Sequence, residues 1–215
     1  MSVNIILSET FGDYRDAQPL GWENAEDFFI AYEAHFEIAD HSDNPGAFAG
    51  PQDPNPVVDT GIWGSLFGPF SGTQYVLEGE TSELDLGFIV QSDLGLYLNY
   101  TFFSSPTHAM YGDINSITFG RGLELDEDTG EYYFLEELIT IEGLDIIGLN
   151  GGIDEEGNVI DRETGDNDTH NIINELQEGN TSSLLEALED AGVELDLISF
   201  VGTDNVVEID MALVA

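Results

Sequence analysis

The sequence predicts an α+β fold, on three observations. Apolar and polar residues alternate through successive short segments between positions 75 and 146, the rhythm of half-buried strands. Helical periodicity is confined to the flanks, at 25–38 before those segments and 171–191 after them. Strands gathered in one region with helices on either side argue for separate helical and sheet layers rather than βαβ units. The 215 residues, 41% hydrophobic and 11% aromatic, suffice for one packed core.

Residues 3–7 read as a short strand closed by a turn at Gly12-Asp13. Asn24 is placed to cap a helix over 25–38, with Glu26 and Asp27 in its first turn complementing the helix dipole. Phe28, Phe29, Tyr32 and Phe36 form its buried stripe. A long, proline-punctuated loop follows through Asn44-Pro45-Gly46 and PQDPNP, the kind of segment that often carries function. Its aromatics, Phe48, Trp63, Phe67 and Phe70, either cover a ligand face or pack as a satellite cluster.

Strands are expected from Tyr75 and over 86–91. Another is built on Leu96, Leu98, Tyr100 and Phe102, ended by Ser104-Ser105-Pro106 because proline has no N–H to donate. Further strands are expected over 113–119, 132–138 and 139–146. Two helices are expected after His170: one over 171–176 ended by Gly179, the other capped by Thr181 or Ser182. Residues 193–201 read as a last strand-like segment before a tail, VVEIDMALVA.

Charge excludes several functions. Three arginines (Arg15, Arg121, Arg162) and no lysine face 44 acids, for a net charge of −41. Such a field repels nucleic acid and anionic membrane surfaces. Self-repulsion destabilises the folded chain at low salt and is screened at molar salt, so a saline habitat is expected. No apolar run approaches the roughly 18 residues of a membrane span. Cysteine is absent, which removes disulfides and thiolate metal sites. No nucleophile elbow, phosphate loop, HExxH or CxxC occurs. The acidic runs at 150–158 and 165–168 invite structural calcium, yet lack the EF-hand spacing. No catalytic residue is assigned, and an enzyme is not expected.

The chemically informative stretch is 94–120, LGLYLNYTFFSSPTHAMYGDINSITFG. It places Tyr100 near a strand end and His108 in the loop that folds back beside it. A phenol of reference pKa about 10 ligates metal poorly at neutral pH. An imidazole nitrogen that accepts its hydrogen bond gives the oxygen phenolate character, and tyrosinate is an axial ligand for haem iron. A core tyrosine beside an ordinary loop histidine is the bland alternative.

Residues 100–120 resemble the haem-loop region of the HasA-type haemophores. Tyr100-Thr101-Phe102-Phe103, Pro106, His108, Tyr111-Gly112 and Phe119-Gly120 carry the likeness. The run AYEAHFEIADH resembles the family's end-of-helix run, with Phe36 and His41 on its phenylalanine and terminal histidine; SGTQY at 71–75 resembles its approach to the sheet. A curved antiparallel sheet of about six or seven strands with helices packed on one face fits the segments and the family.

The resemblance implies an extracellular protein that holds ferric haem b between two loops. Its iron ligands would be His41, in preference to His35, and Tyr100, with His108 hydrogen-bonded to the tyrosine. Phe48, Phe102 and Phe103 are the aromatic candidates for cofactor contact. Asn174 and Gln177 fall where the family places a tyrosine and a methionine on the haem face, a departure that shifts packing towards the first loop. The family hands haem to a TonB-dependent outer-membrane receptor; host or environmental haemoproteins are the expected sources, and a monomer is expected. Residues 1–203 would form the haem-binding domain. The tail at 204–215 resembles the signal of type I ABC export, and the first residues lack the pattern of a cleaved signal peptide. An acidic extracellular calcium-binding or adhesion module without haem is the alternative function.

Overall fold

The computed structural model describes residues 2–14, 21–38, 44–58, 70–80, 85–199 and 205–210. Strand β1 (Ser2–Leu7) buries Val3, Ile5 and Leu7. A short helix α1 (Glu9–Asp13) follows, capped by the Ser8 side chain, which accepts from the Phe11 N–H. Helix α2 (Ala25–His35) begins as predicted, Asn24 accepting from the Asp27 N–H. It ends three residues earlier than predicted because Phe36 is already extended.

Eight further strands follow among the described residues: β2 (Ala47–Ala49), β3 (Ser71–Gly72), β4 (Gln74–Glu78), β5 (Leu86–Gln91), β6 (Leu98–Thr101), β7 (Ala109–Tyr111), β8 (Ser116–Asp126) and β9 (Glu131–Glu142). Helices α3 (Asp168–Gln177) and α4 (Ser182–Asp190) follow, and β10 (Asn205–Asp210) is the last described element. The main sheet is antiparallel, in the order β10-β1-β9-β8-β5-β4-β2. A second sheet, β3-β6-β7, stands apart from it.

The predicted α+β class is found, and the main antiparallel sheet has seven strands where about six or seven were expected. Three local readings need correction. Residues 132–146 are not two strands: β9 runs unbroken for 12 residues to Glu142, and Leu144–Ile146 form a 3-10 turn. The alternation changes phase there because Phe119 pairs with Ile139 while Gly120 pairs with Glu137. Leu138 is thus an extra residue, and adjacent Leu138 and Ile139 are both fully buried, a β-bulge that mimics a strand break. Strand β7 was hidden because three consecutive buried residues show no alternation. Of the expected segment 193–201, residues 193–199 are described, and they form a 3-10 turn at Leu195–Leu197 and an isolated bridge from Ser199 to Asn24.

The helices cover one face of the main sheet. Phe119 on β8 receives the ring edges of Phe28, Phe29 and Tyr32, with centroids 5.7, 5.4 and 5.1 Å away. Ile172, Ile173, Leu176, Leu184 and Leu188 join this core from α3 and α4. Each such side chain contributes about 1.5–3 kcal/mol on leaving water. Among the described residues, the other face carries a small cluster of Val76, Ile89 and Phe134 with partly buried Ala47, Leu123 and Tyr132.

Candidate functional site

The second sheet exists to hold β6, and β6 carries Tyr100. Ser71 pairs with Asn99 on one side, and Met110 pairs with Tyr100 on the other. Helix α3 then ties β7 down. The Met110 N–H donates to His170 Nδ1 (3.3 Å), Asn167 Nδ2 donates to the Met110 carbonyl (3.0 Å), and Thr169 Oγ1 donates to the Gly112 carbonyl (2.7 Å). Gly112 has φ +124°, and a Cβ there would strike the Tyr97 carbonyl, so only glycine closes this corner.

Between β6 and β7 the chain makes the excursion that carries His108. Thr101, fully buried, staples its base: its hydroxyl donates to the Pro106 carbonyl and accepts from the Ala109 N–H at 2.9 Å. The His108 N–H returns to the Thr101 carbonyl. His108 sits at φ 57°, the left-handed region that costs a non-glycine residue about 1–2 kcal/mol. That strain is held in place by the surrounding bonds, and its result is a 2.6 Å hydrogen bond between Tyr100 Oη and His108 Nδ1. With the phenol neutral, its O–H donates and Nδ1 accepts.

Tyr100 is half-buried and flanked by aromatics. Phe70 lies 6.3 Å and Phe102 6.1 Å from its ring, and these two stack on each other at 5.4 Å, 12° from parallel. Phe102 meets His108 edge-on at 5.4 Å, so the tyrosine–histidine pair has an apolar wall. Phe103 packs edge-on against Phe102 and is 55% exposed. Burial raises the Tyr100 pKa, and the Arg162 guanidinium opposes that rise.

A second phenol adjoins the first. Tyr75 on β4 is buried, which holds its pKa far above the usual range, and a charge on Tyr100 would raise it further. Its hydroxyl donates to the Pro45 carbonyl (2.6 Å) and accepts from Gln177 Nε2. Phe48 packs edge-on against its ring at 5.2 Å. Gln177 therefore points its amide at Tyr75, while Asn174 is partly exposed and donates to Glu178 (3.2 Å).

Of the residues singled out in the sequence, Tyr100, His108 and Phe102 are brought into contact, with Phe103 beside Phe102. Phe48 and Gln177 meet at the neighbouring Tyr75, and Asn174 stands one helical turn before Gln177. His41, Trp63 and Phe67 lie outside the described residues. His35 is described, as the last residue of α2. The acidic run at 150–158 closes on itself: Asp154 accepts from the backbone and side-chain amides of Asn158. Among the described residues, no group of three or more histidines and carboxylates is placed to hold a metal ion. No site role was read in the sequence for Thr101, Tyr75 or Arg162, although Thr101 and Tyr75 lie in runs that carry the resemblance. The signal for Arg162 was its charge, as one of three cations.

Fold and site together define an α+β domain: a sheet backed by helices, with a tyrosine–histidine pair presented at a strand end beside aromatic rings. Solved structures share this architecture. The apo hemophore HasA of Yersinia pestis superposes with a TM-score of 0.62 at 22% identity, covering 89% of this chain and 91% of that one. The holo hemophore HasA of Yersinia pestis gives 0.60 at 22% identity, with the same coverage. At that identity the likeness concerns the fold. Hemophore HasA of Serratia marcescens is 29% identical over 132 residues, which is 61% of either chain, so the match spans about three fifths of that relative's length. The model of the heme-binding protein A (HasA) family matches residues 27–206, and the chain belongs to that family.

Proposed function

We propose that this protein is an extracellular haem carrier, which captures ferric haem b between two loops and passes it to a cell-surface receptor for iron acquisition. The observation that carries the reading is the 2.6 Å bond between Tyr100 Oη and His108 Nδ1 at a half-buried, aromatic-walled strand end. A phenol so buried resists ionisation by itself. His108 offers the acceptor that draws off its proton as a ferric ion approaches, and it can return the proton when the cargo leaves. Family membership makes haem the natural source of that ion.

Tyr100 is one axial ligand in this proposal and His41 the other. His41 lies on the segment between α2 and Pro45, whose carbonyl is pinned by Tyr75. Phe102 and Phe103 supply apolar contact beside the tyrosine. Phe48, with Gln177 and Asn174, contributes from the Tyr75 side. Two protein ligands leave iron no open position, which suits capture and delivery rather than turnover. The partners proposed are host or environmental haemoproteins as donors and a TonB-dependent outer-membrane receptor as acceptor. Export by a type I ABC transporter, monomeric state and adaptation to high salt complete the proposal.

The test is a titration of the purified protein with hemin, followed by absorbance. Saturable growth of a sharp Soret band is expected. His41→Ala and Tyr100→Phe each weaken binding and move the band; His108→Ala weakens binding while keeping tyrosine ligation. If Tyr100→Phe left spectrum and affinity unchanged, the ligand assignment would be wrong.

A further inference from the structure

Arg162 is one of three positive charges set against 44 acidic residues. Arg121 is engaged with Glu136 at 3.4 Å and with the Tyr14 hydroxyl. Arg162 is exposed and, among the described residues, makes neither an ion pair nor a side-chain hydrogen bond. An arginine without a carboxylate partner is unexpected in so acidic a chain.

Its position is built rather than incidental. Arg162 opens a 3-10 turn capped by Asp161, whose side chain accepts from the Glu163 N–H. Just before it, the Ile160 N–H donates to the Gly152 carbonyl at 2.9 Å. Just after it, buried Asn167 uses one amide nitrogen for two carbonyls, Ile160 and Met110, both at 3.0 Å. Met110 is the residue opposite Tyr100 in the β6–β7 ladder. A single side chain thus joins the base of the Arg162 turn to the strand beside the candidate ligand.

Haem presents two carboxylates at one edge of its ring. Bound through a tyrosinate it is a net anion, entering a domain of charge −41. Every nearby acid opposes that arrival, and a cation at the rim relieves it. A guanidinium fork also matches a carboxylate geometrically, by two parallel hydrogen bonds. We infer that Arg162, riveted through Asn167 and Met110 to the strand that carries Tyr100, receives a propionate carboxylate of the porphyrin and so selects for the anionic edge of the cargo. This inference rests on the haem reading above.

The experiment compares hemin with its dimethyl ester, which has the same iron and ring but no propionate charge. Affinities are measured for the parent, Arg162→Gln and Arg162→Lys by quenching of tryptophan fluorescence at low ionic strength, with Soret spectra recorded in parallel. Arg162→Gln is expected to weaken hemin about two- to fivefold, the range for an exposed guanidinium–carboxylate pair, and to leave the ester unchanged. Arg162→Lys keeps the charge without the fork and falls between. The hemin difference shrinks in molar salt, and the Soret position does not move. Equal weakening of hemin and ester, or no weakening of either, overturns the inference while the haem reading stands. Absence of any Soret band in the parent overturns both.

Discussion

Replacing Thr101 with valine tests how the site is held together. Valine matches threonine in shape and strand preference, so neither a cavity nor a change in β6 is introduced. Only the hydroxyl goes. The Ala109 N–H, buried and bonded to it at 2.9 Å, loses its partner, which costs about 1–3 kcal/mol. The link to the Pro106 carbonyl goes too, worth about 0.5–1.5 kcal/mol. The sum centres on about 3 kcal/mol, and for a domain of this size each kcal/mol lowers the melting temperature by about 2–4 °C. Calorimetry of the apoprotein should therefore show a fall of about 6–12 °C. Hemin affinity should fall as well, because the strained His108 backbone relaxes once its staple is gone. Thr101→Ser keeps the hydroxyl and should recover most of both losses. A valine variant that melts with the parent and binds hemin equally would refute the claim that Thr101 positions His108.

Three further outcomes are expected. The melting temperature should rise from low to molar NaCl as the Debye length shrinks from about 10 Å at 0.1 M to about 3 Å at 1 M; a flat or falling profile would contradict the repulsion argument. Tyr75→Phe removes the donor to Pro45 and strands the buried Gln177 amide, so denaturant unfolding should register a loss of about 1–3 kcal/mol. Adding Gln177→Met, which removes the orphaned amide, should restore part of it; a double variant no better than the single would count against this network. His170 is held down to about 4 from 6.5, chiefly by burial and secondarily by Arg162. The unfolded chain takes up that proton first, so this contribution is complete above pH 6.5 and is lost as pH falls towards 4. Subtracting the pH–stability profile of His170→Gln removes the carboxylates common to both, and a difference without slope between pH 6.5 and 4 would exclude the assignment.

Much of the fold was legible because long elements carry their own signals. The Asn24 cap and the aromatic stripe of α2 are local chemistry, and β5 occupies the residues its pattern predicts. What escaped was non-local. Whether 132–146 is one strand or two depends on the register against β8, where Leu138 is the extra residue. Strand β7 is too short to show a period and owes its pairing to Thr101 and α3. In the site, the pairing of Tyr100 with His108 was expected from a loop that folds back on one strand end together with the resemblance to the HasA-type haem loop. Tyr75, Gln177 and Pro45 are brought together from three distant segments, which no spacing rule reveals. Arg162 was conspicuous as a charge, but the link from its turn to the strand beside Tyr100 runs through Asn167 and Met110.

The most direct test of the central claim is the visible spectrum of the protein mixed with hemin, set against that of Tyr100→Phe. The parent should develop a saturable Soret band, and the variant should bind more weakly with a displaced band. Indistinguishable spectra and affinities would contradict tyrosinate ligation. A parent with no hemin response, whose melting temperature rose instead with calcium, would contradict the haem carrier itself.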